Sequence, residues 1–186
     1  MRGFGPDLPV MIESGAHAIL TKSMPTQPNQ EPFRGFAESH DFLGTFAFLE
    51  TTDGVLLVAN EREIGGRKQV VWDLPGGGVE AREMLSDALH REMREECGID
   101  VVIHEMLFVA EGERIRDSKR TGVWRSFFFR VEGDTTQIDI SAEPEILDYR
   151  FVPRAELPPL LWAPYHRGFL EWLETGANYV SDCWED

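Results

Sequence analysis

Positive charge is scarce in this chain. Eighteen Lys and Arg stand against 33 Asp and Glu, a formal charge of −15 at pH 7. That balance argues against a general nucleic-acid binder or an anionic-membrane binder, both of which need a basic surface. Cysteine is nearly absent: Cys97 and Cys183 are the only two, and they have no metal-ligand spacing. They read as reduced thiols, and the expected compartment is the cytoplasm. No apolar run approaches the ~20 residues of a membrane span, and the opening MRGFGPDLPVMIESG lacks the apolar core of a secretory signal. No internal repeat is visible.

What is present is a core-forming composition, 42% hydrophobic over 186 residues, which suits one domain with an extension. We divide the chain into an arm over 1–40, rich in Pro, Gly and Gln with one short strand near Ala16–Leu20, a domain over 41–176 and an acidic tail over 177–186 that is expected to fray. Strands are predicted at Leu43–Glu50, Val55–Ala59, Val70–Trp72, Val101–Ala110, Val123–Val131 and Ile146–Val152, with Asp53-Gly54 as a hairpin turn. A closing helix is predicted from Pro164, near its first turn, to Thr175. Strands first, a central helix, then strands and a last helix imply mixed α/β layering.

The densest information lies between Gly77 and Ile99, GGVEAREMLSDALHREMREECGI. Pro75-Gly76-Gly77-Gly78 opens it as a turn in which glycine permits close approach of backbone to a ligand. From about Met84, Leu85, Ala88, Leu89 and Met93 recur at helical spacing, and Gly98 follows as a stop. Glu92, Glu95 and Glu96 stand at i, i+3 and i+4, so they share one helical face. Like charges there weaken a helix, and a divalent cation removes the repulsion. Oxygen ligands of this kind suit Mg²⁺ or Mn²⁺, which take the rest of their shell from water and phosphate. A bare charge run usually means a solvated helix face; the whole glycine-helix-glycine pattern favours a metal site.

That pattern resembles the Nudix box, the signature of hydrolases that split a nucleoside diphosphate from a linked group. Its fixed glycines, glutamates and arginine all match, and Met93 stands where the family prefers a branched aliphatic residue. The resemblance extends over roughly 42 to 175. It takes in Trp72-Asp73-Leu74-Pro75-Gly76-Gly77 before the box and Tyr149-Arg150-Phe151-Val152 with Glu156-Leu157-Pro158 after it. It implies a mixed β-sheet between helices, an α/β/α sandwich with a loop-helix-loop catalytic motif. It also implies Glu92, Glu95 and Glu96 as metal ligands and catalytic groups, with a backbone carbonyl at Gly76 or Gly77 as a further ligand. Glu83 and Arg91 are implied to tie loop to helix.

Many family members place a further glutamate in a loop before the closing strand, where Glu143 and Glu145 stand here. Glu145 is the preferred base or additional ligand, Glu143 the second choice, and a box glutamate itself the alternative. An acidic chain must neutralise a polyanionic substrate locally. Arg62, Arg67 and Lys68 lie on the approach to the motif. Arg114, Arg116, Lys119, Arg120 and Arg125 form the densest basic run, expected to be a loop over the cleft. Arg62, Arg67, Arg116 and Arg125 are the candidate phosphate contacts; Phe46, Phe48, Trp124 and Phe127 are candidates to stack on a base.

The expected partner is a nucleotide-type small molecule: a nucleoside triphosphate or nucleotide sugar first, ADP-ribose third. The downstream signatures of ADP-ribose and dinucleoside-polyphosphate subfamilies are absent, with Ile115 and Arg116 at those places. The expected cofactor is Mg²⁺ or Mn²⁺, and the arm over 1–40 is expected to pack on the domain or across a homodimer interface. Two rivals share the fold: a non-hydrolytic sensing or protein-binding module, which usually loses box glutamates that are all kept here, and an isoprenoid diphosphate isomerase, whose catalytic cysteine motif is missing.

Overall fold

The structure is a computed structural model that describes residues 41–185. The arm over 1–40, with its expected strand and its suggested role in a dimer, lies outside the described residues, as does Asp186. The described chain runs β1 (Phe42–Thr51), β2 (Gly54–Ile64), β3 (Arg67–Asp73), β4 (Gly76–Gly78), α1 (Leu85–Cys97), β5 (Val101–Arg116), β6 (Lys119–Gly133), β7 (Ile146–Val152), α2 (Leu157–Leu160), α3 (Arg167–Thr175) and β8 (Tyr179–Glu185).

The sheet is mixed, as expected. Its order is β3-β2-β1-β6-β5-β8, with β4 on β1 and β7 on β2. β1 runs parallel to β6 and β8 parallel to β5, while the other pairs are antiparallel. β1 pairs with β2 only beside their turn, at Glu50↔Val55 and Thr51↔Gly54. Farther along, β1 takes β4 as its partner, with Thr45 opposite Gly77. That divergence opens the sheet where the glycine turn inserts.

Side chains alternate across a strand, and here both faces are covered. Ala47 and Leu49 of β1, with Leu56 and Val58 of β2, pack on Leu89, Met93 and Cys97 of α1 in an aliphatic cluster. The intervening Phe48, Val55 and Leu57 join Phe108, Phe128, Leu157, Leu161 and Phe169 in an aromatic cluster under α2 and α3. Burial on both faces explains why Val55–Ala59 is an unbroken apolar run rather than an alternating one. Met93 is fully buried in the first cluster, so an adaptable thioether serves at this position.

α1 begins and ends where the sequence implied. Gly98 has φ 69° and donates its N–H to Arg94 O, while Ile99 donates to Met93 O; only a residue without a Cβ takes that left-handed cap cheaply. The closing helix expected from Pro164 starts later as an α-helix, at Arg167, with Pro164–His166 forming a 3₁₀ turn that leads into α3.

Two expectations are corrected. The basic run is no loop: β5 and β6 continue past Ala110 and before Val123 as one long hairpin. Its turn is Asp117-Ser118, both at positive φ, a two-residue connection that matches strand twist. The acidic tail does not fray either. Tyr179–Glu185 adds to β5 as a parallel strand from Val109↔Tyr179 to Ile115↔Glu185. Val180 is buried, and Asp182 meets Arg167 Nε at 2.9 Å. Exposed edge groups on β5 gained a partner, which an acidic composition does not reveal. Among the described residues no helix is long and apolar enough to cross a membrane. Cys97 and Cys183 are both free, and burial pushes the Cys97 thiol up to about 12.

Candidate active site

The three glutamates of α1 do not share one environment. Glu96 is 7% exposed, and its Oε2 accepts the Gly76 N–H at 2.8 Å. Burial first, then the neighbouring Glu92 charge, pushes its carboxyl up to about 8, against the pull of that hydrogen bond. Glu92 is also turned inward, and burial raises its pKa more than Arg91 lowers it. Glu95 faces outward, with its side chain 48% exposed, and meets Arg91 Nη1 at 2.9 Å.

Glycine makes room for this pair. A Cβ on Gly77 would fall 2.6 Å from Glu92 Oε1, and one on Gly76, at φ 136°, would collide with β1 backbone. The carboxylates therefore lie directly against the backbone of β4.

Arg91 fastens the arrangement. Its Nε and Nη2 each donate at 3.0 Å to the two oxygens of Glu83, Nη2 also donates to Gly78 O at 2.8 Å, and Nη1 reaches Glu92 Oε1 at 2.8 Å. A bidentate guanidinium–carboxylate pair fixes direction as well as distance. Glu83 Oε2 in turn accepts the Glu80 N–H at 3.0 Å. The tie from loop to helix implied for Glu83 and Arg91 is present.

Among the described residues, no three Asp, Glu, His or Cys side chains are grouped to hold a metal; Glu95 is drawn aside by Arg91. The inward pair nonetheless suits a divalent cation. Two oxygen-donor carboxylates stand close enough for the Glu92 charge to act on Glu96, and burial disfavours both as anions. A hard cation relieves that cost without leaving the site.

On the opposite side of β4 lies a cavity of about 320 Å³. The Gly76–Gly78 backbone forms part of its wall, and Phe46, Phe128 and Phe169 line its apolar depth. Toward its rim, Trp124 stacks with Tyr165 at a centroid distance of 5.7 Å and meets Trp184 edge-on at 5.8 Å. Arg62 and Arg114 also line it, and the Arg114 guanidinium lies 5.9 Å from the Trp124 ring centre.

Asp73 organises one wall. Its Oδ1 accepts from Tyr165 OH at 3.0 Å and lies 2.7 Å from His166 Nε2; its Oδ2 accepts from Asn60 Nδ2 at 3.2 Å and Arg62 Nε at 3.4 Å. Burial alone would raise this carboxyl, but His166, Arg62 and Tyr165 together hold it below the usual carboxylate range. The same anion and its own burial drive the Tyr165 hydroxyl pKa upward. An ionised Asp73 orients His166 with Nε2 as the donor. His166 Nδ1 is then left buried without a partner among the described residues.

The residues singled out from sequence divide accordingly. Glu92, Glu96 and Gly77 come together, and Glu95 stands beside them. Arg62 lines the cavity; Arg67, Arg116 and Arg125 do not. Arg125 is engaged by Glu111 at 2.8 Å and Asp41 at 3.8 Å. Glu143 accepts the Glu145 N–H at 3.2 Å; Glu145 is exposed, and neither lines the cavity. Of the candidate stacking rings, Phe46 and Trp124 reach the cavity, while Phe48 is core.

Asn60, Asp73, Tyr165, His166 and Trp184 were not singled out. Only Asp73 carried a signal, since a carboxylate stood between Trp72 and Leu74 in an otherwise apolar approach to the glycine turn.

Comparison with known proteins identifies the family and the fold. The family described as NUDIX domain matches residues 41–173. The chain is 33% identical over 135 residues to the human 8-oxo-dGDP phosphatase NUDT18, covering 71% of this chain and 37% of that protein. It thus spans well under half the length of that relative. It is 30% identical over 138 residues to an RNA pyrophosphohydrolase of Acidiphilium cryptum, covering 67% of this chain and 82% of the relative. The crystal structure of the mutator MutT protein from Bacillus halodurans shares the fold, with a TM-score of 0.60 at 20% identity over 77% of this chain and 89% of that one.

Proposed function

We propose, from the premise that the chain belongs to the Nudix hydrolase family, that it is a divalent-metal-dependent pyrophosphohydrolase of nucleoside di- or triphosphates. One observation carries the reading: the Gly76–Gly78 strand has Glu92 and Glu96 against one side and a ring-lined cavity against the other. A base in the cavity would lead its phosphates across the glycine backbone toward α1.

In this reading Glu92 and Glu96 hold Mg²⁺ or Mn²⁺, with Glu95 and a carbonyl at Gly76 or Gly77 completing the protein's share. The metal, when bound, neutralises phosphate charge and lowers the pKa of a bound water. Arg91 keeps Glu92 and the Gly78 carbonyl in place through Glu83. Arg62, held by Asp73 at the cavity wall, supplies a cation to the phosphates in a strongly acidic chain. The proton acceptor for the attacking water is a carboxylate of α1 or Glu145 or Glu143 of the preceding loop; single Gln substitutions separate these.

The cavity volume lies at the lower end for small-molecule sites, which favours one nucleoside over two. On that ground mononucleotides are preferred to dinucleoside polyphosphates. The two named relatives act on different substrates by name, so they select no base.

The test is product analysis over a panel of nucleoside di- and triphosphates, oxidised purines and nucleotide sugars included, with Mg²⁺ or Mn²⁺. Wild type is run beside Glu96→Gln. Cleavage of one class by wild type and its loss in the variant is the expected outcome. Binding without cleavage of any member would replace this reading with a sensing module.

A further inference from the structure

The C-terminal strand enters the cavity in a way that the family motif does not require. Trp184, on β8, lines the cavity and stands edge-on to Trp124. Its ring lies against Gly112 of β5, where a Cβ would overlap the indole carbon Cζ3. Gly112 is not at a positive φ, so its backbone would accept any residue; only the indole demands glycine there. A second tie holds β8 to the helix that follows Tyr165 and His166. Arg167 Nε reaches Asp182 at 2.9 Å, and Arg167 Nη1 donates to Cys183 O at 3.4 Å.

We infer that Trp184 is a specificity-determining residue: seated on Gly112, it closes the rim of the cavity and contacts the nucleobase of a bound mononucleotide. The inference rests on the base-in-cavity reading above and adds the C-terminal strand to the binding site. An indole edge-on to Trp124 offers a bound base an apolar wall that no polyphosphate uses. Recognition of the base and recognition of the phosphates then reside on different parts of the chain, β8 and α1.

Two substitutions test this from opposite sides. Trp184→Ala removes the ring. Gly112→Ala keeps the ring and fills its seat. Each is titrated, in the full-length protein with Mg²⁺ present, with guanosine and uridine 5′-monophosphate and separately with inorganic pyrophosphate. Each variant is expected to bind the nucleotides about tenfold more weakly while pyrophosphate changes by less than about twofold. Because both act on one contact, the double variant should be no weaker than either single one. Trp184→Phe, which restores a ring, should recover most of the loss.

Nucleotide affinity unchanged in both variants would overturn the inference. So would equal loss of nucleotide and pyrophosphate, since β8 would then merely support the fold. Wild type that binds pyrophosphate and no nucleotide would instead overturn the base-in-cavity reading itself.

Discussion

The two sides of the Gly76–Gly78 strand are built in opposite ways. On one side, every group lies within a single stretch from Gly76 to Gly98: two inward carboxylates, the arginine that fastens them and the glycines that admit them. On the other, the cavity draws Phe46 from β1, Arg62 from β2, Asp73 from β3, Trp124 from β6, Tyr165 from the turn before α3 and Trp184 from β8. The contiguous side is charged and carries a chemistry that any phosphoanhydride would need. The assembled side is mostly aromatic and has the variety needed to tell one base from another. Under the proposed function, reaction and recognition reside on different sides, and mutation should separate kcat from KM.

The largest effect should come from the contiguous side. Glu96→Gln keeps an acceptor for the Gly76 N–H but removes the charge. If the metal contributes several kcal/mol to the transition state, kcat should fall by about a thousandfold with the nucleotide still bound. Steady-state kinetics beside a nucleotide titration reads both. A variant that loses nucleotide affinity with kcat intact would erase the separation.

Arg91→Met should come next. It removes a bidentate pair with Glu83 and the bonds to Gly78 O and Glu92, groups that are three-quarters buried or more. Charged hydrogen bonds keep a net stabilising effect after exchange with water, so denaturant unfolding should show a clear loss of stability. Activity should fall while the remaining carboxylates drift from their places, and higher Mg²⁺ should recover part of it. A variant as stable and active as wild type would mean that the glycine turn holds its own shape.

Asp73→Asn probes the assembled side. The amide retains the shape but loses the anion that accepts from Tyr165, Asn60 and Arg62 and lies beside His166. The expected result is a stability loss of about 1–2 kcal/mol and a several-fold rise in KM, with kcat within about threefold. A fall in kcat matching that of Glu96→Gln would place Asp73 in the chemistry and redraw the boundary between the two sides.

The same contrast explains what could be read from the chain beforehand. α1, its glycine stop and its glutamate face are local, and helical periodicity reports them directly. The split among the glutamates was not legible, because which carboxylate turns inward depends on β4 lying across α1. The cavity polar groups were hidden for a stronger reason. Asp73 and His166 are 93 positions apart, and no period links them. The hairpin and β8 were missed because edge pairing depends on a partner strand. Gly112 and Trp184 are unremarkable apart and informative only when stacked.

A last substitution sets the scale against which the others are judged, since it touches neither side. Glu50, at the end of β1, pairs with Arg154 through bonds of 2.5 and 2.6 Å. The Arg154 hydrogen bonds hold the Glu50 carboxyl below its ordinary range. A depressed carboxylate contributes stability that is complete above the unfolded pKa of about 4.3 and is lost as pH falls through the lower folded value. Both side chains are partly exposed, so Glu50→Gln should cost less than about 1 kcal/mol at neutral pH. The Gln substitution spares the Arg154 guanidinium, 5.0 Å from the Phe48 ring centre. The gap between variant and wild type should narrow as the pH drops below 4, with KM and kcat unmoved at pH 7. A change in either constant would show that strain at this corner reaches the glycine strand, and the Asp73 and Arg91 effects would then have to be discounted by the same amount.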